Sequence, residues 1–212
     1  MRRYDPEKHH RRSIRLKGYD YRGPGAYYAT INAQNKACLF GEVVDGEMRL
    51  NDAGRMIFEE WDALPARFPT VQTDAFVVMP NHLHGIVVLG EGENEITPVR
   101  ASLVGAQSRV PDRAITRVAP TDDDAPYDID APTLGDVVGA FKSLTTVAYV
   151  RGVKQNGWQP FARRLWQRNY YEHIVRDDDD LNRIRSYIAD NPARWGEDSE
   201  NPALQSDTYT DA

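Results

Sequence analysis

Apolar and polar positions along the chain fall into two periods. Residues 26–32, Ala-Tyr-Tyr-Ala-Thr-Ile-Asn, are aromatic and β-branched and predict a strand. A second strand is expected at Leu39–Val44, after a short polar turn, and Asp45-Gly46 signals the turn that follows. The period then changes. Met56, Ile57, Trp61 and Leu64 recur at helical spacing behind Asn51 or Asp52 as the N-cap, and Pro65 is expected to stop that helix. Ala75–Met79 and Leu83–Leu89 read as two further strands around Pro80-Asn81. Residues 91–132 keep no period and are rich in Gly, Pro, Asp and Arg, so they read as a long flexible insertion.

Thr133 opens the next helix, with Asp136 as its capping-box partner. Leu134, Val137, Val138, Phe141, Leu144 and Ala148 form its apolar face. Gly152–Arg168 reads as turns with room for a short strand. The last helix begins in Asp177–Asp180, where the helix dipole favours acids. Leu181, Ile184 and Ile188 form its stripe and Pro192 ends it. Four strands with interspersed helices predict an α+β fold, one antiparallel sheet with helices packed on one face. There is no internal repeat.

Composition narrows the class. Hydrophobic residues make up 41% of the 212, enough for a packed core and too many for a disordered chain. No apolar run approaches the ~18 residues of a membrane helix, and the basic start is followed by no apolar signal segment. The lone Cys38 excludes an internal disulfide framework and a Cys-based zinc site. A cytoplasmic, nucleoid-associated location is the expectation, with no membrane partner.

The net charge of −6 is unevenly spread. Residues 1–17 carry seven bases against Asp5 and Glu7, a net +5, whereas 91–132 and 197–212 each carry a net −5. These boundaries divide the chain into a basic arm (1–25), a domain (26–196) holding the insertion, and an acidic tail (197–212) expected to be disordered. The arm suits phosphates, or is simply a solvated terminus.

Candidate chemistry centres on Met79-Pro80-Asn81-His82-Leu83-His84. On a strand His82 and His84 face the same way, with Cα atoms ~6.6 Å apart, so both imidazoles can reach one metal ion. Two structural histidines would show the same spacing. The pair leaves most of a coordination sphere open, and the sheet is expected to be open and polar on this face. On the last helix Tyr187 and Asn191 are four apart and share a face. Tyr187 borders the apolar stripe, which suits a core-edge tyrosine or a hydroxyl turned toward the metal. Tyr170 and Tyr171, with Arg168 and Arg176, suit packing or DNA contact.

Four ordered stretches together resemble the REP-associated tyrosine transposases, within the single-tyrosine HUH transposase superfamily. They are the arm Arg11-Arg12-Ser13-Ile14-Arg15-Leu16-Lys17-Gly18-Tyr19-Asp20-Tyr21; the His82-Leu83-His84 motif; Trp166-Gln167-Arg168-Asn169-Tyr170-Tyr171-Glu172-His173; and Arg185-Ser186-Tyr187-Ile188-Ala189-Asp190-Asn191-Pro192. The insertion 91–132 is longer than this family leads one to expect. The resemblance implies a ferredoxin-like (RRM-like) sheet of HUH endonuclease type. It implies that His82, His84 and Asn191 hold Mg²⁺ or Mn²⁺ and that Tyr187 is the nucleophile. These three ligands are neutral, leaving the ion its full charge for DNA.

The substrate implied is single-stranded DNA beside a REP-like hairpin. Cleavage would give a 5′-phosphotyrosine bond and a free 3′-hydroxyl, and rejoining would need no ATP. Arg11, Arg12, Arg15, Lys17, Lys142 and Arg168 are the bases expected to touch DNA. A homo-oligomer is compatible with the sequence. The alternative is a non-cleaving hairpin-binding protein on the same fold with a regulatory role. A generic RRM-like RNA binder ranks last, because Tyr27-Tyr28 supplies only one exposed face position.

Overall fold

The computed structural model describes residues 24–90 and 132–205. Arg11, Arg12, Arg15 and Lys17 lie outside the described residues, as do nearly all of the insertion and residues 206–212. The chain runs β1 (Gly25–Asn32), β2 (Gly41–Val44), β3 (Glu47–Leu50), α1 (Asp52–Asp62), α2 (Leu64–Arg67), β4 (Val71–Val78) and β5 (His82–Leu89). It continues through α3 (Leu134–Asn156), β6 (Tyr171–Ile174) and α4 (Asp178–Asp190).

The caps follow the sequence. Asn51 accepts a hydrogen bond from the Gly54 N–H at 2.9 Å and starts α1. Thr133 and Asp136 form the expected capping box of α3. Asp177 caps α4 through the Asp180 N–H at 2.8 Å, with three more acids in the first turn. Gly157, at φ 67°, closes α3 in the left-handed conformation. Pro65 behaves differently from expectation. It sits in the first turn of α2, where its missing N–H leaves no bond unmade.

The main sheet is antiparallel in the order β4-β5-β1-β6. The chain passes from β1 through α1 to β4, skipping over β5, and from β5 through α3 to β6, skipping over β1. This is ferredoxin-like topology. Two strand expectations are corrected. The strand expected within Leu39–Val44 pairs only with β3, in a separate two-stranded ribbon. The fourth strand of the main sheet is β6, whose four residues lie just beyond the stretch where a short strand had room.

One face of the sheet presents Tyr27, Ile31, Leu83 and Val87 to α1 and α3, where they pack with Ile57, Trp61, Val137, Val138 and Phe141. Trp61 lies so close over β5 that a Cβ at Gly85 would be 2.4 Å from its ring, so only glycine fits. The opposite face is covered too, which corrects the expectation of helices on one side only. Ile184 and Ile188 of α4 bury against Tyr28 and Ile86. Burial of each such isoleucine is worth roughly 1.5–3 kcal/mol.

Polar ties fix the position of α4. Arg185 donates to both carboxylate oxygens of Asp74, with Nη2 2.5 Å from Oδ2, where β4 departs from regular register. His173 of β6 lies 2.8 Å from Asp180. Residues 197–205 of the acidic tail, expected to be disordered, are ordered. They pack back on the domain through 3₁₀ turns at Pro192–Glu197 and Pro202–Gln205.

Candidate active site

The site is built where β5, β1 and α4 meet. In the β1–β5 register Thr30 faces His84 and Asn32 faces His82, so Tyr28, Thr30 and Asn32 share the histidine face. α4 lies over the same face and carries Tyr187 and Asn191 to its edge. Contrary to the expected openness, His82 is fully buried and His84 is 4% exposed. Trp195 helps cover them, with its ring centroid 6.0 Å from that of His82.

The Nε2 atoms of His82 and His84 lie 2.9 Å apart and point at a common space. Their other nitrogens are held from behind. His82 Nδ1 lies 2.8 Å from Asn81 Oδ1. His84 Nδ1 lies 2.7 Å from the Tyr28 hydroxyl and 2.9 Å from that of Thr30. Burial lowers both imidazoles. It pulls His82 down to about 4 against the opposing pull of Asp198 and Asn191, and places His84 well below its usual value. Near neutral pH both rings are therefore uncharged, the form that binds metals.

Two oxygen donors adjoin the pair. Asn191 is 3% exposed, and its buried Oδ1 lies near enough to His82 to raise that imidazole yet completes no well-aligned hydrogen bond. Such an orphaned acceptor is costly in a folded protein, and a cation would satisfy it. Asp198 is the second. Its Oδ2 is 3.6 Å from His82 Nε2, and among the described residues His82, His84 and Asp198 form a cluster whose candidate ligand atoms all lie within 4.8 Å of one another.

The segment bearing Asp198 is pinned in place. Lys36 Nζ donates to the Ser199 carbonyl at 2.8 Å and pairs with Glu200, and Asn81 Nδ2 donates to the Glu200 carbonyl at 2.8 Å. Two imidazoles, an amide oxygen and a carboxylate suit a divalent ion that accepts mixed nitrogen and oxygen ligands. A donor set that included Asp198 would carry one negative charge, whereas His82, His84 and Asn191 alone are neutral.

Tyr187 borders this cluster. Its ring meets that of His84 at 5.3 Å and that of Tyr28 at 6.2 Å, both edge-on, and it remains 42% exposed. Its competitors divide between the faces. Tyr171, 56% exposed on β6, also meets Tyr28 at 6.2 Å. Tyr170 packs instead against the core under α1 and α3, with the Lys142 ammonium 5.4 Å from its ring centre.

The four residues His82, His84, Tyr187 and Asn191 come together, although separated in sequence. Lys142 does not join them. Its ammonium donates to the carbonyls of Gln167 and Asn169 at 3.0 and 3.1 Å, and burial pulls it down to about 8. Arg168 is exposed in the loop before β6. Sequence reasoning missed Asp198, Asn81, Tyr28 and Thr30. Strand parity with the facing His84 was the available signal for the last two. For Asp198 a run of acids offered none.

No family model matches the chain. An uncharacterized protein of Haemophilus influenzae is 37% identical over 202 residues, covering 92% of this chain and 96% of that one. A solved structure of a REP-associated tyrosine transposase bound to a REP hairpin superposes with a TM-score of 0.49 at 20% identity, over 92% of this chain and 75% of that one. Among the described residues no helix is long and apolar enough to cross a membrane.

Proposed function

We propose that this chain, which belongs to one family with the Haemophilus influenzae protein, is a metal-dependent single-stranded DNA endonuclease and strand transferase of the REP-associated tyrosine transposase kind. The observation that carries the reading is the Tyr187 ring 5.3 Å from His84, at the mouth of a buried two-histidine cluster with an orphaned amide oxygen. A tyrosine in a purely structural role needs no such neighbours, and a metal site in a purely structural role needs no half-exposed phenol beside it.

The chain's own groups divide the work. The Tyr187 oxygen attacks the scissile phosphorus, a P–O bond to it forms, and the bond from phosphorus to the 3′ oxygen breaks. The phenolic proton is lost and the departing 3′ oxygen takes up a proton, giving a 5′-phosphotyrosine and a free 3′-hydroxyl. Because the ester is retained on the protein, a 3′-hydroxyl can reverse the step on a second strand. His82, His84, Asn191 and Asp198 would hold a divalent cation, Mg²⁺ or Mn²⁺, which supplies Lewis-acid stabilisation of charge on the phosphoryl oxygens. α4, pinned by Arg185 to Asp74, holds Tyr187 beside the histidine pair.

The expected substrate is single-stranded DNA carrying a REP-like hairpin, bound in part by the basic arm and by Arg168. The test is incubation with labelled single strands containing the hairpins that flank its own gene. A covalent protein–DNA adduct that depends on divalent metal is the expected result. Hairpin binding without any adduct would instead establish the non-cleaving, regulatory reading.

A further inference from the structure

The hydrogen bonds behind His82 fix where its proton is, and its contact with His84 then constrains the second ring. Asn81 Nδ2 donates to the carbonyls of Lys36 and Glu200, at 3.0 and 2.8 Å, so its orientation is set and its Oδ1 faces His82 Nδ1. An amide oxygen only accepts, so His82 Nδ1 carries the hydrogen and Nε2 of this neutral ring offers a lone pair. His84 Nε2 lies 2.9 Å from that lone pair. Two lone pairs facing each other at this distance repel. Without a cation between them, His84 must be protonated at Nε2 and donate to His82.

A cation held by both Nε2 atoms needs the other tautomer of His84, with its hydrogen on Nδ1. The groups behind Nδ1 are suited to both states. Tyr28 and Thr30 place two hydroxyls within 2.7 and 2.9 Å of it, and Thr30 Oγ1 donates to the Tyr28 oxygen at 3.1 Å. A carbonyl in this place would only accept and an amide N–H would only donate. A hydroxyl does either, by rotating.

We infer that Tyr28 and Thr30 form a hydroxyl pair that lets His84 exchange tautomers with cation occupancy, donating to Nδ1 in the empty site and accepting from it in the loaded one. The exchange moves one hydrogen from Nε2 to Nδ1 of the same ring and leaves the charge of the site's side chains unchanged. Both hydroxyls are positioning groups, since they act through His84. In the loaded state the Tyr28 hydrogen is released from Nδ1 and can turn to the neighbouring Tyr187 hydroxyl. The inference rests on reading His82 and His84 as cation ligands.

The test needs no DNA. Protein labelled with ¹⁵N in histidine is titrated with diamagnetic Zn²⁺ and the ring nitrogens of His84 are followed by NMR. The expected spectrum changes from the Nε2–H to the Nδ1–H tautomer as the ion binds, while His82 keeps Nδ1–H throughout. Mn²⁺ affinity of the protein alone is measured in parallel by EPR. Outer hydrogen-bond partners of metal-binding histidines typically contribute 10- to 100-fold in affinity. The near-isosteric Tyr28→Phe, Thr30→Val double variant should lose that much, with each single variant losing less and Thr30→Ser close to wild type.

Wild-type Mn²⁺ affinity in the double variant would overturn the inference and leave the metal site standing. An unchanged His84 tautomer on loading would do the same. No ion binding by the wild type would remove the metal site and this inference together.

Discussion

The ring of Tyr187 stands edge-on to that of His84, with centroids 5.3 Å apart, although the two lie on different elements far apart in sequence. α4 makes this contact possible. Ile184 and Ile188 anchor it on the sheet, and Tyr187, on the flank of that stripe, is left at the rim of the histidine cluster.

On the proposed reading Tyr187 is the nucleophile. Tyr187→Phe should abolish the covalent adduct, a loss of at least ~10³-fold, while hairpin affinity changes by less than about twofold, because only the attacking oxygen is removed. Tyr170→Phe should leave adduct formation unchanged, since Tyr170 packs toward the other face. Denaturing gels of labelled DNA measure both. Adduct surviving in Tyr187→Phe and vanishing in Tyr171→Phe would move the role to the exposed tyrosine of β6.

Asp198 makes a second prediction. It is the carboxylate of the candidate cluster, 3.6 Å from His82 Nε2, and as a ligand it would contribute the donor set's negative charge. Asp198→Asn keeps the shape and removes the charge, and should weaken Mn²⁺ binding by about tenfold or more, a loss of the order seen for polar groups that support metal ligands. His82→Ala and His84→Ala should abolish binding, and EDTA should stop cleavage by the wild type. Titration of Mn²⁺ by EPR checks the affinities. Equal affinity in Asp198→Asn would leave Asp198 as a neighbour and not a ligand.

Strand parity put His82 and His84 on one face, helical spacing put Tyr187 and Asn191 on another, and the caps Asn51, Thr133 and Asp177 were legible because capping is local. The amphipathic stripe of α4 revealed that it packs, but not that it packs on the face opposite α1 and α3. Strand β6 is four residues of mixed polarity and is stabilised by pairing with β1, a contact that no local pattern encodes. Asp198 sits in a run of acids that normally marks a solvated tail. Long-range bonds from Lys36 and Asn81 turn it inward.

Acid should destabilise the metal-free protein in a defined window. Burial lowers His82 to about 4 from the ordinary imidazole value of 6.5, so between these values the native state binds fewer protons than the unfolded chain. Stability therefore falls as pH drops from 6.5 toward 4, by at most about 1.4 kcal/mol per pH unit for each such histidine, and for this group is level above 6.5. His84 acts in the same direction. Asp180, held low chiefly by its hydrogen bond to His173, adds its own loss only below about 4, where the unfolded carboxyl begins to protonate. Urea melts at pH 7, 6 and 5 measure the slope. It should shrink in His82→Asn, and an equal slope in that variant would assign the acid sensitivity elsewhere.

The basic arm makes the last prediction, on the reading that it grips phosphates. Residues 1–17 carry a net +5 in a chain whose total is −6. Each lysine or arginine that contacts a single-strand phosphate releases counterions and steepens the plot of log affinity against log salt by roughly 0.7. Three or four such contacts among Arg2, Arg3, Lys8, Arg11, Arg12, Arg15 and Lys17 would make deletion of 1–17 flatten the slope by about 2 to 3. If Arg11, Arg12 or Arg15 also forks onto a guanine edge, the deletion lowers the preference for the cognate hairpin as well as the affinity. The acidic 91–132 segment should act oppositely, so its removal should tighten non-specific binding most strongly at low salt. Fluorescence anisotropy of a labelled hairpin across a salt series, for the wild type and both deletions, measures all three effects. Superimposable slopes for the wild type and the arm deletion would make the arm a solvated terminus that the DNA does not touch.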